Sequence, residues 1–351
     1  MRVVIVGASG NVGTSILRAL ADEPAVESIV GLARRRPHAD FEKTTWVTAD
    51  VSKDDLTPHF RGADVVVHLA WAIQPSHDDE QLRRINVGGS ERVFRAVADT
   101  GVPTLVYASS VGAYSPGPKD RHVDESWPTG GIPTSFYSRH KAETERLLDR
   151  FERDVGGRRV VRLRPALIFK REAATGIRRL FAGPLFPSAL VRGGRLPAVP
   201  DIPGLRVQAV HSLDAADAYR RAIVGDAHGA FNIAAEPVLD AATLATAFGS
   251  RRLPVPAAVA RAAADVTWRL HLQPTPKGWL DMALGVPLLD STRAQEQLGW
   301  EPRHSSLETL RELLQGLGDG AGVDTPPLSP ATTGPLRVRE LLTGIGRASG
   351  E

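Results

Sequence analysis

The sequence predicts an α/β protein, with a doubly wound parallel sheet and a smaller C-terminal lid domain closing over it. Three observations predict this. Short β-branched runs alternate with helical patterns through the first half, the first of those runs passes straight into a glycine-rich turn, and the rhythm fades after Pro165. At 351 residues the chain has room for one large α/β unit and a smaller appended one.

The elements follow in order. Val3 to Val6 is fully apolar, as strands buried on both faces are. Val12, Ile16, Leu17 and Leu20 then recur at helical spacing. Residues 28–32, 45–48 and 64–69 give a second, third and fourth strand. A long helix is expected over about residues 78–100, with Leu82, Ile85, Val93 and Val97 facing the core. Residues 104–108 form a fifth strand, and the stretch 115–133, rich in proline and glycine, a loop. A helix should run from near Ser135 to about Arg153, followed by a sixth strand over 159–163 that Pro165 ends.

Beyond Pro165, prolines and glycines break up residues 183–205. A helix over about 256–272 carries Val259, Ala262, Val266 and Leu270 on one apolar stripe. Elements return to the core near 207–224 and 230–233. From Gly316 onward the glycines and prolines read as a mobile tail with one short helix near Val338 to Thr343. The expected organisation is a first domain over 1–165 with returns near 207–233, a lid mostly over 166–315, and a flexible tail over 316–351.

Composition narrows the function classes. A net charge of +3 with no basic run denser than Arg34-Arg35-Arg36 gives no nucleic-acid reading motif, so no nucleic-acid partner is expected. The absence of cysteine excludes disulfides, Cys-ligated zinc and a thiol nucleophile. No segment approaches 18 continuous apolar residues and no charged leader precedes the first strand, so the chain is expected to be cytoplasmic, with no membrane partner. No metal cluster is expected.

Gly7-Ala8-Ser9-Gly10-Asn11-Val12-Gly13 spells G-x-x-G-x-x-G between the first strand and first helix. Glycines permit the tight turn, let backbone approach a pyrophosphate and let the helix pack on the strand, while the helix N-terminus offers unpaired N–H groups and a positive dipole end. This predicts a Rossmann-type dinucleotide site. Asp50-Val51 follows the third strand, where a carboxylate can accept from an adenine amino group; a plain surface aspartate is the alternative. At the end of the second strand stand Ala33-Arg34-Arg35-Arg36 rather than the acidic residue that grips a ribose 2′-OH. Arg34 and Arg35 there suit a 2′-phosphate, which favours NADP(H) over NAD(H); three solvated arginines in a loop are the alternative.

Tyr137-Ser138-Arg139-His140-Lys141 places a tyrosine and a lysine four apart, on one helix face. A free phenol, with a pKa near ~10, is a poor base at neutral pH. A neighbouring ammonium together with an oxidised nicotinamide favours the phenolate. Ser110 ends the fifth strand, where its hydroxyl can hold a reacting carbonyl or alcohol oxygen. Ser109 points the opposite way if the strand continues.

Together with His68-Leu69-Ala70, Asn86-Val87, Tyr107-Ala108-Ser109-Ser110, Arg164-Pro165, Val210-His211-Ser212-Leu213-Asp214 and Leu298-Gly299-Trp300-Glu301-Pro302, these pieces resemble the extended short-chain dehydrogenase/reductases of the NAD-dependent epimerase/dehydratase type, over about residues 1–315. The resemblance implies that Ser110 polarises the substrate oxygen, that Tyr137 is the acid/base, and that Lys141 tunes Tyr137 and binds ribose. It further implies that Leu69, Ala70 and Asn86 line the cofactor cleft, and that the protein pairs as a homodimer through the helices carrying Asn86 and Tyr137. The lid would bind a small-molecule substrate.

The pattern also departs from the family. Dehydratases need an acidic pair after the hydroxyl residue, where this chain has Val111-Gly112. Epimerases carry an asparagine soon after the sixth strand, where this chain has Arg164-Pro165-Ala166-Leu167-Ile168-Phe169-Lys170. Arg178, Arg179, Arg192 and Arg195 can meet a diphosphate or be solvated lid arginines. Leu180, Phe181, Leu185, Phe186 and Leu190 hint at a less polar substrate, though core packing accounts for them equally. The expected activity is interconversion of a carbonyl and a secondary alcohol. The alternatives are a nucleotide-sugar epimerase on retained NAD and a non-catalytic NAD(P) sensor.

Overall fold

Side chains alternate across a strand, so a strand apolar at every position must be covered on both sides. In strand β1 (Arg2–Val6), Val3, Val4, Ile5 and Val6 are at most 1% exposed. The computed structural model describes residues 1–73, 77–182 and 196–329. Around β1 it arranges β2 (Ser28–Ala33), β3 (Thr44–Thr48), β4 (Val65–His68), β5 (Thr104–Ala108), β6 (Arg159–Pro165) and β7 (Gly229–Ile233) in one parallel sheet of order β7-β6-β5-β4-β1-β2-β3. The register is regular, Val3 lying opposite both Ile29 and Val65. This is the doubly wound sheet that the sequence predicts. The chain winds outward in both directions from β1, so a crevice opens at the carboxyl ends of β1 and β4.

Two cores cover the two faces. On one, Val3, Ile5, Val67 and Val106 pack with Ile16, Leu17 and Leu20 of helix α1 (Asn11–Ala21). On the other, Val4, Val6, Val66 and Leu105 meet Val93, Phe94 and Val97 of helix α2 (Gly89–Thr100) and Leu148 and Phe151 of helix α3 (Phe136–Asp154). Helix α4 (Ser212–Val224) joins α1 on the first face, with a Ser15–Ser212 hydroxyl pair 2.9 Å apart between them. The buried Trp300 donates from Nε1 to the Asp214 carbonyl at 2.8 Å, bringing together two motifs distant in sequence.

Three local expectations change. The helix expected to run unbroken over 78–100 consists of Asp79–Arg83 and α2, joined by a π-helical turn over Arg84–Gly88. The extra residue of such a turn shifts the helical register, so Asn86 and Val87 point inward and Ile85 is only partly buried. The helix expected over 256–272, α5 (Ala257–Arg269), presents the face opposite to the expected one. Arg261 and Asp265 pair with Asp281 and Lys277 of helix α6 (Lys277–Gly285), and Trp268 stacks on His77 at 3.9 Å. That polar stripe faces the body, leaving Val259 57%, Val266 54% and Leu270 62% exposed.

The third concerns the segment read as a mobile tail. Helix α7 (Ser306–Asp319) runs past Gly316, where a Cβ would lie 2.5 Å from the Arg171 carbonyl; this glycine serves close packing. Beyond it Thr325 and Leu328 are buried, Thr175 donates to the Ala321 carbonyl at 2.7 Å and Arg179 to that of Pro327 at 2.7 Å. The expected short helix near Val338, and Leu185, Phe186, Leu190, Arg192 and Arg195, lie outside the described residues. Among the described residues no helix is long and apolar enough to cross a membrane.

Candidate active site

The glycine loop meets the crevice with each glycine doing a different job. Gly7 takes φ +91°, and a Cβ there would sit 2.7 Å from the Ala70 nitrogen. The loop of Leu69 and Ala70 after β4 therefore presses against bare backbone. A Cβ on Gly13 would be 2.4 Å from the Ala8 carbonyl, which keeps α1 tight on the loop. Gly10 differs: its nearest neighbour would be the Gly7 carbonyl at 3.5 Å, and the space above it is open. Gly10 caps α1 without a side chain, and no acidic residue stands in the first turn, so the free N–H groups after Ser9, at Asn11, Val12 and Gly13, face outward with the positive helix end. The loop fits a pyrophosphate.

Beneath it lies a group the sequence reading missed. Lys170 is 1% exposed, and its Nζ donates to the Asn11 carbonyl at 2.9 Å, to Thr14 Oγ1 at 2.8 Å and to Ser15 Oγ at 2.9 Å. Burial brings its amine down to about 8 despite Glu172. All three acceptors are neutral, so any charge it carries adds to the positive helix end. Nothing in local sequence marks Lys170; the register of the segment Leu167–Phe169, paired with Ala209–His211, delivers it.

At the far end of the crevice Arg34 and Arg35 are exposed just beyond β2. Asp50 receives Ser52 N at 2.9 Å and Ser52 Oγ at 2.7 Å. Burial raises its carboxyl pKa, but those bonds and the nearby Arg34 outweigh burial and leave it below the ordinary value. Val51 is buried against Gly89. Asn86 clamps the peptide of Ala72, accepting from its N at 2.7 Å and donating to its carbonyl at 2.9 Å, and so fixes the Leu69–Ala72 loop from behind.

Ser110 and Tyr137 come together at the carboxyl end of β5. Ser135 caps α3 and accepts from Ser138 N, while Ser138 Oγ donates to the Gly112 carbonyl, tying the start of α3 to the turn after Ser110. Gly112 is obligatory there, since a Cβ would lie 2.8 Å from the Tyr137 ring. Ser110 Oγ accepts from Gly112 N at 3.0 Å, and it lies near enough to the Tyr137 hydroxyl to pull the phenol pKa down. Ser109 turns away and donates to Glu145 at 2.5 Å. Glu145 also receives Arg162 at 2.8 Å and Arg164 at 2.9 Å. Burial would raise its carboxyl, but Arg164, Arg162 and Ser109 bring it down to about 2.

The electrostatics differ from the Tyr-Lys spacing argument. Lys141 Nζ donates to the Ala108 carbonyl at 2.6 Å and lies 3.6 Å from the Trp71 ring centroid, but 5.9 Å from that of Tyr137. Burial lowers the Lys141 amine to about 7, and burial pushes the Tyr137 phenol up to about 12 against the pull of Ser110. Without a cofactor the phenol is thus held protonated rather than acidified. An uncharged or half-charged lysine at this distance is too weak to offset desolvation.

Around the two hydroxyls stands a ring of aromatic side chains. Tyr137 meets Trp71 edge-on at 6.1 Å and Trp279 at 5.0 Å; Trp279 also receives Phe136 at 6.0 Å and Phe181 at 4.9 Å. The sequence reading singled out neither tryptophan: Trp71 directly follows His68-Leu69-Ala70, while Trp279 comes from α6, with no motif around it. Among the described residues no His, Cys, Asp and Glu cluster could hold a metal ion.

Comparison with known proteins agrees with this architecture. An uncharacterized protein of Mycobacterium tuberculosis is 27% identical over 315 residues, covering 89% of this chain and 29% of its own length, so the chain spans under a third of that relative. The Saccharomyces cerevisiae sterol-4-alpha-carboxylate 3-dehydrogenase, decarboxylating, is 29% identical over 192 residues, 51% of this chain and 55% of that one. The crystal structure of Thermus thermophilus UDP-glucose 4-epimerase in complex with NAD shares the fold at a TM-score of 0.66 and 20% identity, over 90% of this chain and 99% of its own. The family model for the NAD dependent epimerase/dehydratase family matches residues 3–234. The chain belongs to the NAD dependent epimerase/dehydratase family and has the extended short-chain dehydrogenase/reductase fold.

Proposed function

We propose that the chain is an oxidoreductase that interconverts a carbonyl and a secondary alcohol, using NADP(H) in preference to NAD(H). One observation carries the reading: Ser110 and Tyr137 come together at the carboxyl end of β5, beside the buried Lys141 bonded to Ala108, on the edge of the sheet where β1 passes into the glycine loop. Bound cofactor supplies or accepts the hydride at the carbon. Ser110, with one of its lone pairs taken by Gly112 N, donates to the substrate oxygen and orients it. In reduction the protonated Tyr137 phenol gives its proton to that oxygen as the charge develops, and a phenol held near 12 is in the right state to do so throughout the neutral range. In oxidation the same group must lose its proton, a step that the fraction of Lys141 in its protonated form would favour.

Lys170, Gly10 and the open end of α1 support a pyrophosphate partner, and exposed Arg34 and Arg35 support a 2′-phosphate. Replacing Tyr137 with Phe tests the reading. Turnover should fall by ~10²–10⁴-fold, the usual range for a lost general acid, while the NADP(H) dissociation constant measured by calorimetry stays put. Turnover that survives the substitution would exclude Tyr137 as the proton donor.

A further inference from the structure

We propose that the substrate presented to Ser110 and Tyr137 is a ketone or alcohol carried on a flat, largely apolar ring system, held against the Trp71 and Trp279 indoles. This rests on the oxidoreductase reading above and names its substrate class.

The rings around Tyr137 come from four separate places: Trp71 from the loop after β4, Phe136 and Tyr137 from the start of α3, Phe181 from the turn Arg178–Ala182, and Trp279 from the start of α6. None of the five is fully buried. Rings gathered only to fill a core would be sealed; these keep exposed surface next to the two reacting hydroxyls. Trp279 lies 35° from the plane of Tyr137 at 5.0 Å, while Phe136 and Phe181 meet it at 88° and 85°. The two edge contacts brace the indole in one orientation, as aromatic edges prefer a ring face. Behind the wall, the buried Met282 and Ile132 back Tyr137, Trp279 and Val111. A flat apolar skeleton would gain contact with such a wall, whereas a sugar ring, hydroxylated all round, would leave its polar groups unpaired against it.

Charge points the same way. A sugar nucleotide brings a diphosphate that asks for cations. Among the described residues around this wall, Lys277 is paired with Asp265, Arg261 of the neighbouring α5 with Asp281, and Arg179 donates to the Pro327 carbonyl, while Arg178 is 5% exposed. Lys141 is closed under Trp71 and bonded to Ala108.

The test is calorimetric titration of the NADP-bound protein with 2-tetralone and with UDP-glucose, alongside NADPH oxidation followed near ~340 nm. Tetralone should bind more tightly than UDP-glucose. Trp279→Ala should weaken tetralone binding by at least ~10-fold, the scale of a lost aromatic partner, Trp279→Phe should recover most of it, and neither should move the NADPH dissociation constant more than about twofold. Tighter binding of UDP-glucose, no tetralone binding, or a Trp279→Ala variant with normal NADPH affinity and unchanged tetralone affinity overturns the proposal. Tetralone binding that follows this pattern without NADPH oxidation supports the substrate class and instead sinks the oxidoreductase reading.

Discussion

The two sides of the crevice are built from different materials. The glycine-loop side is backbone and charge: glycines that let strands and helix touch, an uncapped helix end, and a lysine buried beneath it. The Tyr137 side is aromatic surface supplied by elements far apart in the chain. The first arrangement suits a ligand part that never changes, because backbone geometry leaves little to vary. The second is assembled from side chains on loops and lid helices, where substitution alters shape without disturbing the sheet.

The largest expected effect breaks the support beneath the Tyr137 side. Glu145 joins Ser109, Arg162 and Arg164 behind the hydroxyl pair. Glu145→Ala leaves the buried Arg164 guanidinium without its carboxylate, while Arg162 keeps Asp149 and Glu152, which should cost ~3–5 kcal/mol of stability, read as a fall in the midpoint of urea unfolding. A loss below about 1 kcal/mol, the scale of an exposed ion pair, would mean that the network is dispensable.

A smaller effect sharpens the charge side. Lys170→Met keeps the length of the side chain and removes its charge. Affinity for NADP(H) should drop by ~10-fold, about the upper range for a charge at a helix end, while affinity for adenosine, which lacks the pyrophosphate, stays unchanged. The sign with pH follows from an amine near 8: the ammonium is lost as pH rises, so wild-type cofactor affinity should weaken from pH 7 to 9 and the variant's should stay flatter. Equal loss for adenosine would make Lys170 a packing residue only.

The smallest effect concerns the adenosine end. Arg34 and Arg35 are exposed, where charge pairs are screened by water and salt. Replacing both with Ala should weaken NADP(H) by roughly 5-fold, the upper end for an exposed ion pair, and leave NAD(H) alone. Equal weakening of both cofactors would remove the 2′-phosphate from the account.

The same contrast explains what could be read in advance. Val3 to Val6, the glycine spacing, and Ser110, Tyr137 and Lys141 were legible because strand burial, backbone conformation and helix spacing are local rules. The inverted face of α5 was not, because Arg261 and Asp265 find partners on α6 that helical periodicity does not reveal. Gly316 was read as flexible because a close-approach glycine and a linker glycine look alike until the opposing carbonyl of Arg171 is in view. Asn86 was expected to support the crevice, but the π-turn that turns it inward was not. The protonated state of Tyr137 depends on burial, a property of the fold rather than of a five-residue motif.

The central claim is that the hydroxyl pair performs net redox chemistry with a cofactor that comes and goes. Absorbance near ~340 nm, recorded together with product analysis on purified protein, tests it most directly. The account predicts one NADPH oxidised for each carbonyl reduced. Substrate conversion with no change in absorbance, on protein that retains tightly bound NAD, would contradict it and favour epimerisation.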